Sequence, residues 1–225
     1  MRLQVNHNMF FLVGHRASGK TESGNLLSSN FGFLSIDTGD VVRAYKSRMV
    51  PPEVSLAEWE RGLISERGSL AVTDLISAHI YTAVLERSRQ QNPFSEIAVL
   101  GNRQIEGVKG IIQYLSEVEG MMPYVTPTII ALEASDETLY KRHIHRKREI
   151  DEVNMTFEVF RADVLDTERN QGLNTLLAEA KYKIFNNEEG LQTLEDQVIA
   201  LFRDNFGFHL VNNLEEGYSQ KERRV

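Results

Sequence analysis

The sequence contains no cysteine, so neither a disulfide framework nor a thiolate metal centre is available to it. The fold has to stand on packing alone, and a reducing cytoplasm is the expected setting. Membrane-length apolar runs are missing too. The run near the N-terminus, Met9 to Val13, is far below the roughly 18 residues needed to cross a bilayer and reads as the lead into a buried strand. Basic charge is in deficit, 25 Lys and Arg against 32 Asp and Glu for a net charge of -7. That balance lacks the broad positive field of a protein that coats nucleic acid. Nucleic acid and membrane are therefore not expected partners, and a small molecule is. No internal repeat or low-complexity segment interrupts the chain.

What is present suits one domain with an inserted lid. A chain of 225 residues with 41% hydrophobic content can fill a single core. The expected domain covers 1–211, and the polar stretch 212–225 reads as a solvated tail. Apolar runs of strand length occur at Met9 to Val13, Phe33 to Ile36, Ile97 to Leu100, Thr128 to Leu132 and Tyr182 to Phe185. Helix-length segments fill the gaps, at Lys20 to Ser29, Thr38 to Ser47, Leu56 to Arg67, Ser69 to Arg89, Gln104 to Ser116, Asp136 to Arg148, Thr156 to Asn170 and Leu191 to Asp204. Short continuous strands alternating with helices predict an α/β fold: a five-stranded parallel sheet covered on both faces. The stretch from Ser55 to Gln91 carries Leu70, Val72, Leu75, Ile76, Ile80, Val84 and Leu85. It is expected to pack into the core, with a homodimer interface as the alternative.

Gly14-His15-Arg16-Ala17-Ser18-Gly19-Lys20-Thr21 satisfies G-x-x-x-x-G-K-T between the first strand and the first helix. Glycines at 14 and 19 let the backbone turn and aim N–H groups inward, and the helix end adds its positive dipole. The whole octapeptide is read as a nucleotide phosphate cradle. Lys20 reaches the β- and γ-phosphates and Thr21 ligates Mg²⁺. The loop itself leaves ATP and GTP open. It also leaves open water, a protein or a metabolite as the acceptor.

The second strand runs into Asp37-Thr38-Gly39-Asp40-Val41-Val42-Arg43. A carboxylate at a strand's C-terminal end faces the ligand crevice of an open α/β sheet, which makes Asp37 a candidate to orient an acceptor or approach the metal. This segment resembles P-loop nucleoside monophosphate kinases. It shares Asp-Thr-Gly and the Arg with cytidylate kinases, and Thr-Gly-Asp and the Arg with adenylate kinases. The resemblance implies a three-layer α/β/α kinase fold, with Asp40, Arg43 and Arg103 binding the acceptor from a helical region at about 38–91 and the third strand's end. One departure stands out. These kinases carry an Asp where this chain has Leu100 or Gly101, so the acid near Mg²⁺ either comes from elsewhere, with Asp37 the candidate, or is missing.

Lys141, Arg142, Arg146, Lys147 and Arg148 crowd the segment after the fourth strand, where the family carries its arginine-bearing lid. Arg142 and Arg146 share a helical face, and they are the candidates to stabilise charge on the γ-phosphate from a lid at about 142–170. His143 and His145 do not share that face, so a metal site there is not expected. The last strand ends in Asn186-Asn187, as in adenylate-kinase-related and dephospho-coenzyme A kinase-like proteins, which implies that Asn186 lies near the adenine. The expected activity is ATP- and Mg²⁺-dependent phosphorylation of a nucleotide-like molecule, first of all a (deoxy)nucleoside monophosphate. Dephospho-coenzyme A as the acceptor, and a non-catalytic nucleotide-binding regulatory protein, are the alternatives.

Overall fold

The computed structural model describes residues 8–68, 70–89, 96–117, 127–145, 155–188 and 190–211. Five parallel strands form one sheet in the order β2-β3-β1-β4-β5. They are β1 (Asn8–Val13), β2 (Leu34–Asp37), β3 (Glu96–Leu100), β4 (Thr128–Glu133) and β5 (Tyr182–Phe185). The central three are almost wholly apolar because a strand flanked by neighbours and covered by helices meets no water on either face. Adjacent residues of β1 divide between two cores. Met9, Phe11 and Val13 pack with α2 (Thr38–Met49), α3 (Leu56–Arg67), α4 (Ala71–Arg89) and α5 (Ile105–Glu117). Phe10 and Leu12 pack with α1 (Lys20–Phe31) and α9 (Gln192–Phe206), where Phe33, Phe202, Phe206 and Phe208 ring Phe10. Side-chain alternation along one strand thus builds both faces of a three-layer α/β/α fold.

The expected strands are all present, with β2 shifted by one residue so that Asp37 ends it. Of the apolar stretch before β3, Ile76, Ile80 and Val84 are core residues, while Leu70 stays 47% exposed. A third cluster joins Leu139 of α6 (Asp136–His145) to Phe160, Val164 and Leu165. Those three lie on a helix that begins as α7 (Phe157–Phe160), widens into π-helix at Arg161–Asp166 and again at Arg169–Leu173, and ends as α8 (Asn174–Ala178). Gly172 breaks it with a φ of 104°. Arg146 and the rest of the basic cluster beyond His145, as well as the tail from 212, lie outside the described residues. Among the described residues no single helix is long and apolar enough to cross a membrane.

Candidate active site

Strand β1 delivers the chain to Gly14 and α1 takes it up at Lys20, so the octapeptide sits at the C-terminal edge of the central strand. The Lys20 ammonium donates to the carbonyls of Gly14 at 2.9 Å and His15 at 2.7 Å, and lies 3.4 Å from Ser18 Oγ. The side chain therefore curls over its own loop. Ala17 is the one non-glycine described residue with a left-handed φ, 66°. That conformation costs an L-residue roughly 1–2 kcal/mol, so its neighbours must hold it. Gly19, at φ 102°, has no alternative: a Cβ there would stand 2.4 Å from Asn186 Nδ2.

Asp37 serves two elements at once. One oxygen caps α2, accepting from the Gly39 N–H at 2.9 Å and the Asp40 N–H at 3.3 Å. The other accepts from the Thr21 hydroxyl at 3.2 Å. The hydroxyl and carboxylate expected at the metal thus meet beside the loop. Among the described residues no group of three or more His, Cys, Asp or Glu could cage a metal ion by itself. A hydroxyl and one carboxylate fit Mg²⁺, which keeps several waters and takes its remaining ligands from substrate phosphates. At Gly101, with φ 93°, a Cβ would lie 3.0 Å from Thr38 Oγ1, so the position suits glycine; across the sheet, Asp37 is the register partner of Leu100.

The two arginines expected on the acceptor side are each answered by an acid. Arg43 pairs with Asp40 one turn away on α2. Arg103, on the loop after β3, lies 3.4 Å from Glu168 Oε1 and 3.4 Å from Gln171 Oε1. Burial pushes the Glu60 carboxyl up, against the pull of the Arg103 charge. Asn102 is buried, and its Oδ1 has no hydrogen-bond partner among the described residues.

Glu168 was not singled out by the sequence. It lies on the short α-helical turn between the two π segments and its side chain is only 4% exposed. Its Oε2 accepts from His15 Nδ1 at 3.0 Å and from the Arg16 backbone N–H at 3.0 Å, while Oε1 faces Arg103 and, at 3.8 Å, Arg16 Nε. An ionised carboxylate only accepts, so His15 carries its hydrogen on Nδ1. Burial by itself would raise this carboxyl. The His15 hydrogen bond, the Arg103 charge, the Arg16 N–H and the Lys20 charge together outweigh it and hold the group at about 2.

On the opposite flank is a cavity of about 350 Å³ lined by Ala17, Gly19, Glu22, Arg142, His145, Asn186, Gly190, Leu191 and Leu194. Asn186 donates from Nδ2 to the Ser18 carbonyl at 3.0 Å, latching β5 to the loop. Arg142 donates to the Asn186 carbonyl at 2.9 Å, to its Oδ1 at 3.1 Å and to the Glu188 carbonyl at 2.7 Å. The structure therefore puts Arg142, expected over the phosphates, on the wall of this cavity, because the last turn of α6 runs beside the loop after β5.

Neither a family model nor a curated protein sequence matches the chain. Solved structures do. Shikimate kinase from Bacteroides thetaiotaomicron superposes with a TM-score of 0.53 at 12% identity over 89% of this chain and 99% of that one. Shikimate kinase from Acinetobacter baumannii, in complex with shikimate, superposes with a TM-score of 0.52 at 16% identity over 88% and 94%. The fold is that of the P-loop kinases. At these identities the likeness is one of architecture, and it spans nearly the whole length of both enzymes.

Proposed function

We propose that the chain is an ATP-dependent phosphotransferase that moves the γ-phosphoryl group to a small acceptor, a nucleoside monophosphate being the first candidate. The observation that carries this reading is the meeting of Thr21 and Asp37, 3.2 Å apart, beside a phosphate loop whose other side is tied to Arg103. Donor groups and an acceptor arginine then share one edge of the sheet, the arrangement a two-substrate transfer needs.

ATP binds with its base in the cavity lined by Arg142, Asn186 and Leu191 and its phosphates on the loop amides. Lys20 leaves the Gly14 and His15 carbonyls for the β- and γ-phosphates. Thr21 and Asp37 would hold Mg²⁺, which would draw charge off the phosphate oxygens. Arg43 and Arg103 orient the acceptor, with Asp40 and Glu168 fixing the two guanidinium groups. The acceptor oxygen attacks the γ-phosphorus, the bond to the β-γ bridging oxygen breaks, and ADP departs. A cytoplasmic setting suits a chain without cysteine that uses ATP.

The test is a panel of acceptors followed by ADP release and product mass. It contains nucleoside monophosphates, dephospho-coenzyme A, and shikimate, the last because the matched Acinetobacter enzyme holds it. At least one member should raise ADP release, and Lys20→Ala should cut that turnover by about 10³-fold or more. ADP release no faster than without acceptor, across the panel, would sink the kinase reading in favour of a nucleotide-binding module.

A further inference from the structure

We infer that Glu168 is a positioning residue that sets the tip of the phosphate loop and Arg103 in register, shaping the loop for nucleotide before nucleotide arrives. The inference rests on reading that loop as the ATP site. Four donor groups from two distant parts of the chain, His15 and Arg16 on the loop and Arg103 after β3, converge on this one carboxylate. The carboxylate is 4% exposed, whereas Arg103 and Arg16 remain 43% and 38% exposed. The acid is thus the fixed member, and its arginines reach outward from it.

Proton transfer is not its task. Both oxygens already face hydrogen-bond donors or cations, and Arg16, Arg103 and Lys20 around it favour the ionised form. What it can do is restrain. The Arg16 N–H, given to Glu168, fixes the backbone immediately before Ala17, whose left-handed φ the loop must sustain. The helix presenting Glu168 is wound as π-helix before it, at Arg161–Asp166, and is kinked after it at Gly172. A π turn changes the register of every side chain beyond it, and such turns gather at functional sites. Here the π turn precedes the residue aimed at the loop and the kink follows it.

A second role for a buried acid next to phosphates would have the opposite sign. A carboxylate that merely repelled the nucleotide would, once neutralised, let it bind more tightly. A carboxylate that preorganises the loop would, once neutralised, make binding weaker, because ordering the tip would then be charged to each binding event.

The experiment titrates full-length wild type, Glu168→Gln and Glu168→Asp with the magnesium complex of a non-hydrolysable ATP analogue by calorimetry, well below unfolding. Hydrogen exchange of the Arg16 amide is followed in parallel. Glu168→Gln removes the charge and keeps the shape, whereas Glu168→Asp keeps the charge and withdraws the carboxylate by one methylene. Both should bind about tenfold more weakly, with faster exchange at Arg16 and unchanged protection in β1 and β3. Unchanged or tighter binding by a folded Glu168→Gln overturns the inference. If that variant does not fold, Glu168→Asp binding as wild type does so instead. Wild type that fails to bind the analogue removes the ATP reading and takes the inference with it, a result distinct from the other two.

Discussion

Acid should dissolve the advantage that Glu168 gives the folded chain, and the size of the effect follows from its surroundings. The carboxyl sits at about 2 in the folded protein against an ordinary value of 4.5. A group whose folded value is depressed stabilises the native state fully above its unfolded value and loses that contribution as pH falls through the folded one. The window here runs from about pH 5 down to about pH 2. The difference corresponds to about 3 kcal/mol at neutral pH, of which about 2 kcal/mol is gone by about pH 3. Glu168→Gln removes the ionisation, so the stability gap between wild type and variant should be near its maximum at neutrality and shrink steadily on acidification. The chain carries its own reporter, a single tryptophan, Trp59, that is 9% exposed on α3. Urea unfolding read by its fluorescence across that pH window gives the gap directly. A gap as large at the acid end as at neutrality would refute the reasoning, since the carboxylate would then contribute by shape and not by charge.

Asn186→Ala removes the latch to the Ser18 carbonyl and one acceptor of Arg142. Steady-state kinetics should show the KM for ATP rising by about tenfold with a smaller fall in kcat, the mark of lost binding in ground and transition state alike. Gly101→Asp, which puts an acid at the end of β3, should not help: at φ 93°, with its Cβ 3.0 Å from Thr38 Oγ1, it is strained. Calorimetric melting should show a loss of about 1–2 kcal/mol and no gain in turnover. Ile80→Ala, at a fully buried position of α4, should cost about 2–5 kcal/mol in urea midpoint stability with an unchanged denaturant slope.

The scaffold was readable because its signals are local. Five apolar runs of strand length and a glycine-punctuated loop each announce themselves within a few residues, and the order of the chain then requires parallel strands. Asp37 was readable for the same reason, as a carboxylate at a strand's end. Glu168 was not. It lies among other charged residues more than 150 positions from the loop it holds, and neither π winding nor a buried carboxylate has a compositional mark in a single sequence. Arg142 is legible as a cation in a basic run, but its partners, the carbonyls of Asn186 and Glu188, lie more than 40 positions away and are set by tertiary packing alone.

The latch and the buried acid also bear on how the protein is made. The phosphate-loop octapeptide leaves the ribosome before Glu168 and Asn186, its hydrogen-bond partners, which are synthesised some 150 residues later. β1, which carries the loop, lies between β3 and β4, so its own place in the sheet waits on both. A nascent chain halted before β5 should therefore hold a complete G-x-x-x-x-G-K-T octapeptide and no nucleotide. ATP would then act as a late check on the finished fold, stabilising only chains whose distant halves have already met.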